Sequence, residues 1–110
     1  MKKVERKNVD WVKTGNRLMA LRTSNLALRR YVCWSLRYDL GECSVECASC
    51  EFEMDRSISR TELADVLSTT ENVVFNWESG KTPVPLEDLL LYTGISSVPL
   101  EDIVVFEETN

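Results

Sequence analysis

Histidine is absent from this 110-residue chain, and glycine and proline are scarce, at four and three residues. Without histidine the side chain most used as a general base near neutral pH is missing, and a cysteine nucleophile would lack its usual partner. No Gly-rich phosphate loop and no Gly-x-Ser-x-Gly elbow occurs. The chain therefore reads as a non-enzyme, with no small-molecule substrate identified. The start MKKVERKNVDW carries charge but no apolar h-region, and no run approaches the ~18 apolar residues of a membrane span. The expectation is a cytoplasmic protein without a membrane partner. At 44% hydrophobic content it can bury one core, so one domain is expected over residues 1–110.

Charge of one sign is lacking in each half. Residues 1–40 hold ten Lys and Arg against three acids, a net +7, whereas residues 41–110 hold three against fifteen, a net −12. Two consequences stay open. A basic N-terminal half can supply phosphate contacts beside an acidic body, or it can lie on that body and neutralise it.

The most informative stretch is ISRTELADVLSTTENVVFNWESGKTPVPL, which begins at Ile58. Ser59 and Glu62 form a capping box, so a helix starts at Arg60. Leu63, Ala64 and Leu67 fall on one face of it, with Glu62 and Asp65 left to water. Thr69 and Thr70 offer a second N-cap, and Val74 and Trp77 give the next helix a buried edge that Gly80 closes. Two helices joined so tightly cross steeply and need a small residue where they approach. Ala64 supplies it. Further on, VPLED occurs at Val84–Asp88 and again at Val98–Asp102. Each copy sets Pro at a first helical position with acids in the first turn, which makes two helix starts.

These residues resemble the lambda-repressor-like Cro/C1 (XRE) helix-turn-helix family, whose run looks like L-S-x-x-E-L-A-x-x-L-G-x-S-x-x-x-I-x-x-W-E-x-G-K-x-x-P-x-L. Ile58, Ser59, Glu62, Leu63, Ala64, Leu67, Val74, Trp77, Glu78, Gly80, Lys81 and Leu86 match it. EDLLLYTGISSVPLEDIVVF is similar to the family's fourth and fifth helices, so the resemblance covers about the last half of the chain. Two positions depart from it. Ser68 stands where the family's turn has Gly, and Pro83 and Pro85 flank the usual proline. A positive φ is unusual for Ser, so a slightly different turn is expected at Ser68.

The resemblance implies that residues 71–79 enter a major groove. Thr70 caps that helix, and Glu71, Asn72, Val73, Phe75 and Asn76 are the candidates for base edges. Asn binds adenine bidentately, Glu accepts from cytosine, and Val or Phe touches a thymine methyl. Ser59, Arg60, Lys81 and Thr82 match backbone-contacting positions. For Phe75 a core or dimer contact is an equal alternative.

Upstream, residues 10–23 and 25–39 both read as helices, the second with Leu28, Val32 and Leu36 at four-residue steps. The family has one helix before the Ser-capped one, with an arginine that pairs with the glutamate matching Glu78. Arg22 is one candidate, and Arg29 or Arg30 the other.

Between Asp39 and Ser57 lies a stretch without helical or strand period, and a loop this long needs something to hold it. Cys33, Cys43, Cys47 and Cys50 follow the pattern Cys-x9-Cys-x3-Cys-x2-Cys. Arg29 and Arg37, four residues either side of Cys33, would favour its thiolate. Four thiolates can close a tetrahedral zinc shell, so structural zinc is the leading expectation. An iron–sulfur cluster and redox-active thiols are the alternatives.

The expected architecture is all-α: a lambda-repressor-like five-helix bundle with an extra N-terminal helix. Its parts are basic helices over residues 1–39, a Cys-rich loop over 40–57, and the helix-turn-helix with C-terminal helices over 58–106. The expected function is a sequence-specific DNA-binding transcriptional regulator with a four-cysteine structural zinc site. Double-stranded DNA and a second copy, as a homodimer, are its expected partners; the apolar tail Ile103–Phe106 is a candidate dimer contact or, equally, packs on its own core. The alternatives are an antitoxin-like or adaptor module that docks protein, and an iron–sulfur or thiol redox-responsive regulator.

Overall fold

A computed structural model of the chain describes residues 7–39 and 57–108. Among the described residues the fold is all-α. It comprises α1 (Trp11–Ser24), α2 (Leu26–Asp39), α3 (Arg60–Val66), α4 (Glu71–Ser79), α5 (Leu86–Ser96) and α6 (Leu100–Ile103). The strand-like pairing among them is one antiparallel bridge between Val9 and Phe106. None of these helices is long and apolar enough to cross a membrane.

Local chemistry accounts for most of the boundaries. The Asp10 carboxylate accepts from the Lys13 amide at 3.0 Å and starts α1. Asn25 then does two jobs. Its extended ψ ends α1, while its side-chain oxygen accepts from the Leu28 amide at 2.8 Å and caps α2. The capping box at α3 is complete: the Glu62 amide donates to Ser59 Oγ, and the Ser59 amide donates back to the Glu62 carboxylate, both at 3.1 Å. Of the two candidate threonines Thr70 caps α4, accepting from the Val73 amide, whereas the Thr69 amide donates to Ala64. Both VPLED copies open helices, but Pro85 and Pro99 are the caps themselves, one residue earlier than the first helical position expected.

The core gathers Leu18 of α1, Leu28 and Val32 of α2, Leu63 and Ala64 of α3, Val74 and Trp77 of α4, Leu89 and Tyr92 of α5, and Ile103 of α6. The α1 helix packs on α4, and α2 lies between α3 and α5. At the far end of the chain, Ile103 is buried and the tail pairs with its own N-terminal segment. The Asp10 amide donates to Val105 O at 2.7 Å, and the Val105 amide donates to the buried Thr14 hydroxyl at 3.0 Å. The tail thus packs on its own chain, with Phe106 half-exposed at its end.

The zinc and metal-binding expectation is corrected here. A metal shell needs three or four donor atoms converging on one point. Among the described residues, no group of three or more Cys, Asp or Glu side chains is placed to hold a metal ion. Of the expected ligands, Cys33 sits half-buried on α2 without such a group around it, and Cys43, Cys47 and Cys50 lie outside the described residues, as does the Arg37 side chain. The iron–sulfur alternative needs the same donors and falls with the zinc. So does the expected function as a zinc-stapled transcriptional regulator.

Candidate nucleic-acid interface

Four residues, Leu67 to Thr70, separate α3 from α4. The turn needs one left-handed residue, and Ser68 takes that conformation at φ 58°. The backbone therefore follows the path a glycine would favour, although the residue is serine. The end of α4 is also built locally. Gly80 is left-handed at φ 77°, its amide donates to Trp77 O, and the Lys81 amide reaches back to Asn76 O at 3.0 Å. These are the two hydrogen bonds of a Schellman motif. A Cβ on Gly80 would also lie within 3 Å of the Val12 backbone, so glycine is required by space as well as by φ.

What holds α4 in place is an ion cluster at its C-terminal end. Arg22 Nε and Nη2 donate to the two carboxylate oxygens of buried Glu78 at 2.7 and 3.0 Å. Its Nη1 donates to the Ile58 carbonyl at 2.7 Å. Arg60 Nε completes the cluster, donating to Glu78 Oε1 at 3.0 Å. One carboxylate thereby ties α1 and α3 to α4, and Arg22 adds the entry to α3 through the Ile58 carbonyl. The choice between Arg22 and the α2 arginines is decided for Arg22. The contact also joins a cation of the basic half to an acid of the acidic half, so part of the charge split is neutralised within the chain.

The approach of α1 to α4 depends on Gly15. A Cβ there would fall 2.5 Å from the carbonyl oxygens of both Trp77 and Glu78. Nothing in the reading of the motif pointed to this residue. A glycine inside an amphipathic helix was the signal available, since such a residue costs ~1 kcal/mol unless packing requires it.

The candidate DNA-facing residues fall into three groups. Glu71, Asn72, Lys81 and Thr82 are exposed, as are the capping residues Ser59 and Thr70. Val73 is partly buried against the core, and Asn76 is half-buried with its carbonyl capping the helix end. Phe75 and Arg60 meet each other. The guanidinium carbon lies 5.2 Å from the Phe75 ring centroid, and the Lys81 ammonium lies 5.0 Å from the same point. Glu71 and Asn72 thus stand exposed at the start of α4, while the two cations gather at Phe75 and Arg60 joins the Glu78 cluster that anchors the helix end.

No protein-family model matches the chain, and comparison with curated proteins and with solved structures also finds no match.

Proposed function

We propose that this chain is a helix-turn-helix interaction module of the antitoxin or adaptor kind, and that α4 is the face it offers to double-stranded DNA. Its core is a lambda-repressor-like five-helix bundle with one extra helix at the N-terminal side. The observation that carries the reading is the polarity of α4. Its C-terminal end is locked by Glu78 to Arg22 and Arg60, while its first turn projects Glu71 and Asn72 into solvent. A helix held rigidly at one end and bare at the other can enter a groove without being reorganised.

A second copy would set two α4 helices on two half-sites, as such dimers do. Apolar surface for a protein partner is present on α5, where Leu86 and Leu90, one turn apart, are 59% and 52% exposed beside exposed Leu91. Together with the net charge of −5, this surface favours a second reading in which the module docks protein alone.

One experiment separates the two. The full chain is incubated with a pool of random-sequence duplexes in low salt, and retained duplexes are sequenced. Enrichment of a common sequence supports the DNA reading. Absence of any retained duplex overturns it and leaves protein docking.

A further inference from the structure

Phe75 was a candidate for touching a thymine methyl, yet two cations lie over its ring. Arg60 and Lys81 are the only Lys or Arg in residues 57–108. They come from opposite ends of the helix-turn-helix, the first residue of α3 and the segment just past α4, and converge on one ring of α4. Each is about 5 Å from the same centroid, which puts the two charges no more than about 10 Å apart. That is within a Debye length at physiological salt or close to it, so their repulsion is incompletely screened. Nearby attraction offsets this modest repulsion.

Two sources are present. The electron-rich face of the ring attracts both cations. Glu78 attracts Arg60, but this carboxylate is already shared with Arg22, so the cluster of three keeps one positive charge in excess. The excess faces outward. Arg60 spends Nε on Glu78, and its two Nη groups make no hydrogen bond among the described residues. Lys81 is exposed. Together they present unspent donors beside the Phe75 ring, on the side of α4 that the Glu78 cluster anchors.

From this geometry we infer that Phe75 is a positioning residue, holding Arg60 and Lys81 as a single phosphate-binding pair beside α4, and is not a reader of bases. The inference rests on α4 being the DNA face, and the ligand is a backbone phosphate of the duplex. Each phosphate so neutralised adds ~0.9 to the slope of log affinity against log salt.

The test measures duplex affinity across salt concentrations for the full chain and for Phe75→Leu, Phe75→Tyr, Lys81→Gln and the Phe75→Leu/Lys81→Gln pair, each checked for folding by thermal melting. Lys81→Gln should lower the slope by ~0.9 per chain. Phe75→Leu should lower the slope and weaken binding to selected and unrelated duplexes by a similar factor, and Phe75→Tyr, which keeps the ring, should restore both. Lys81→Gln should cost less in the Phe75→Leu background than alone. An unchanged slope with loss on the selected sequence only would make Phe75 a base reader and overturn the inference, as would strictly additive losses. A parallel titration follows the Phe75 ring protons by NMR as sodium phosphate replaces sodium chloride at constant ionic strength. A shift in the wild type that Lys81→Gln abolishes supports the pair even if no duplex binds, in which case only the DNA reading falls. No shift in a chain that binds duplex DNA overturns the pair alone, and no shift together with no duplex binding overturns both.

Discussion

Arg22 and Glu78, separated by 56 positions in the chain, meet as a buried two-pronged ion pair with donor distances of 2.7 and 3.0 Å. A pair of this kind is weak evidence of net stabilisation, because two charges have left water to form it. Breaking it is another matter. Glu78→Ala leaves Arg22 buried with a third of its bonds, and the expected loss is about 3 to 5 kcal/mol, read from denaturant midpoints. Replacement of both residues, as Arg22→Met/Glu78→Leu, should cost less than Glu78→Ala. If the double variant proved the weaker protein, the charges would be stabilising the fold beyond mutual compensation.

The two helical glycines should respond to alanine with opposite signs. At Gly94 on α5 nothing lies within 4 Å of an added Cβ, so Gly94→Ala gains helix propensity, ~1 kcal/mol at most. At Gly15 the same gain is opposed by contact with two backbone carbonyls of α4, which cannot rotate away. Overpacking of this sort costs ~1 to 3 kcal/mol or more. Thermal melting of the two variants should show Gly94→Ala rising and Gly15→Ala falling, and a rise in both would mean that α1 can slide off α4.

Ser68 offers a gain. The left-handed conformation costs a residue with a Cβ ~1 to 2 kcal/mol, part of which glycine returns as extra freedom in the unfolded chain. Ser68→Gly should therefore stabilise by about 0.5 to 1 kcal/mol, leaving duplex binding unaltered. A lower midpoint would imply that the serine side chain contributes an interaction that offsets its strain.

These residues also mark what could be read before the fold was known. The capping box at Ser59 and Glu62, the Thr70 cap and the Gly80 stop depend on atoms within five residues of each other, and local spacing was enough to find them. Arg22 could not be preferred to Arg29 or Arg30 because the choice depends on how α1 lies across α4, which is a packing outcome. Gly15 was passed over, because its reason is a carbonyl 63 residues away. The metal expectation is overturned by the lack, among the described residues, of any donor group placed to hold an ion: a spacing of cysteines says which donors exist, and a shell further requires convergence.

Asn72 separates recognition from positioning. It is exposed on the first turn of α4 and carries no anchoring role there. Asn72→Ala should lose about 1 to 3 kcal/mol on a selected duplex and little on an unrelated one. Equal losses on the two, measured at one salt concentration, would remove Asn72 from the base-reading set.

Tyr92 carries a prediction in alkaline solution. Its side chain is fully buried, edge-on to Trp77 at 6.4 Å, and its hydroxyl has no hydrogen-bond partner among the described residues. Burial, reinforced by the negative charges of Glu78 and Asp88 and opposed by Arg22, raises its pKa well above the usual 10.0. The native state thus holds a proton that the unfolded state begins to release near pH 10. Stability associated with this group is complete below that pH and declines as pH rises toward the higher native value, since the unfolded state then binds fewer protons. Phenylalanine keeps the ring packing and discards both the unpartnered hydroxyl and its titration. Tyr92→Phe should accordingly be as stable as the wild type or better by about 1 kcal/mol at neutral pH, and its advantage should widen above pH 10. Urea unfolding at a series of pH values gives the comparison directly: parallel curves would show that Tyr92 ionises as easily in the native protein as in the unfolded chain, and a less stable variant at pH 7 would show that the hydroxyl is satisfied after all.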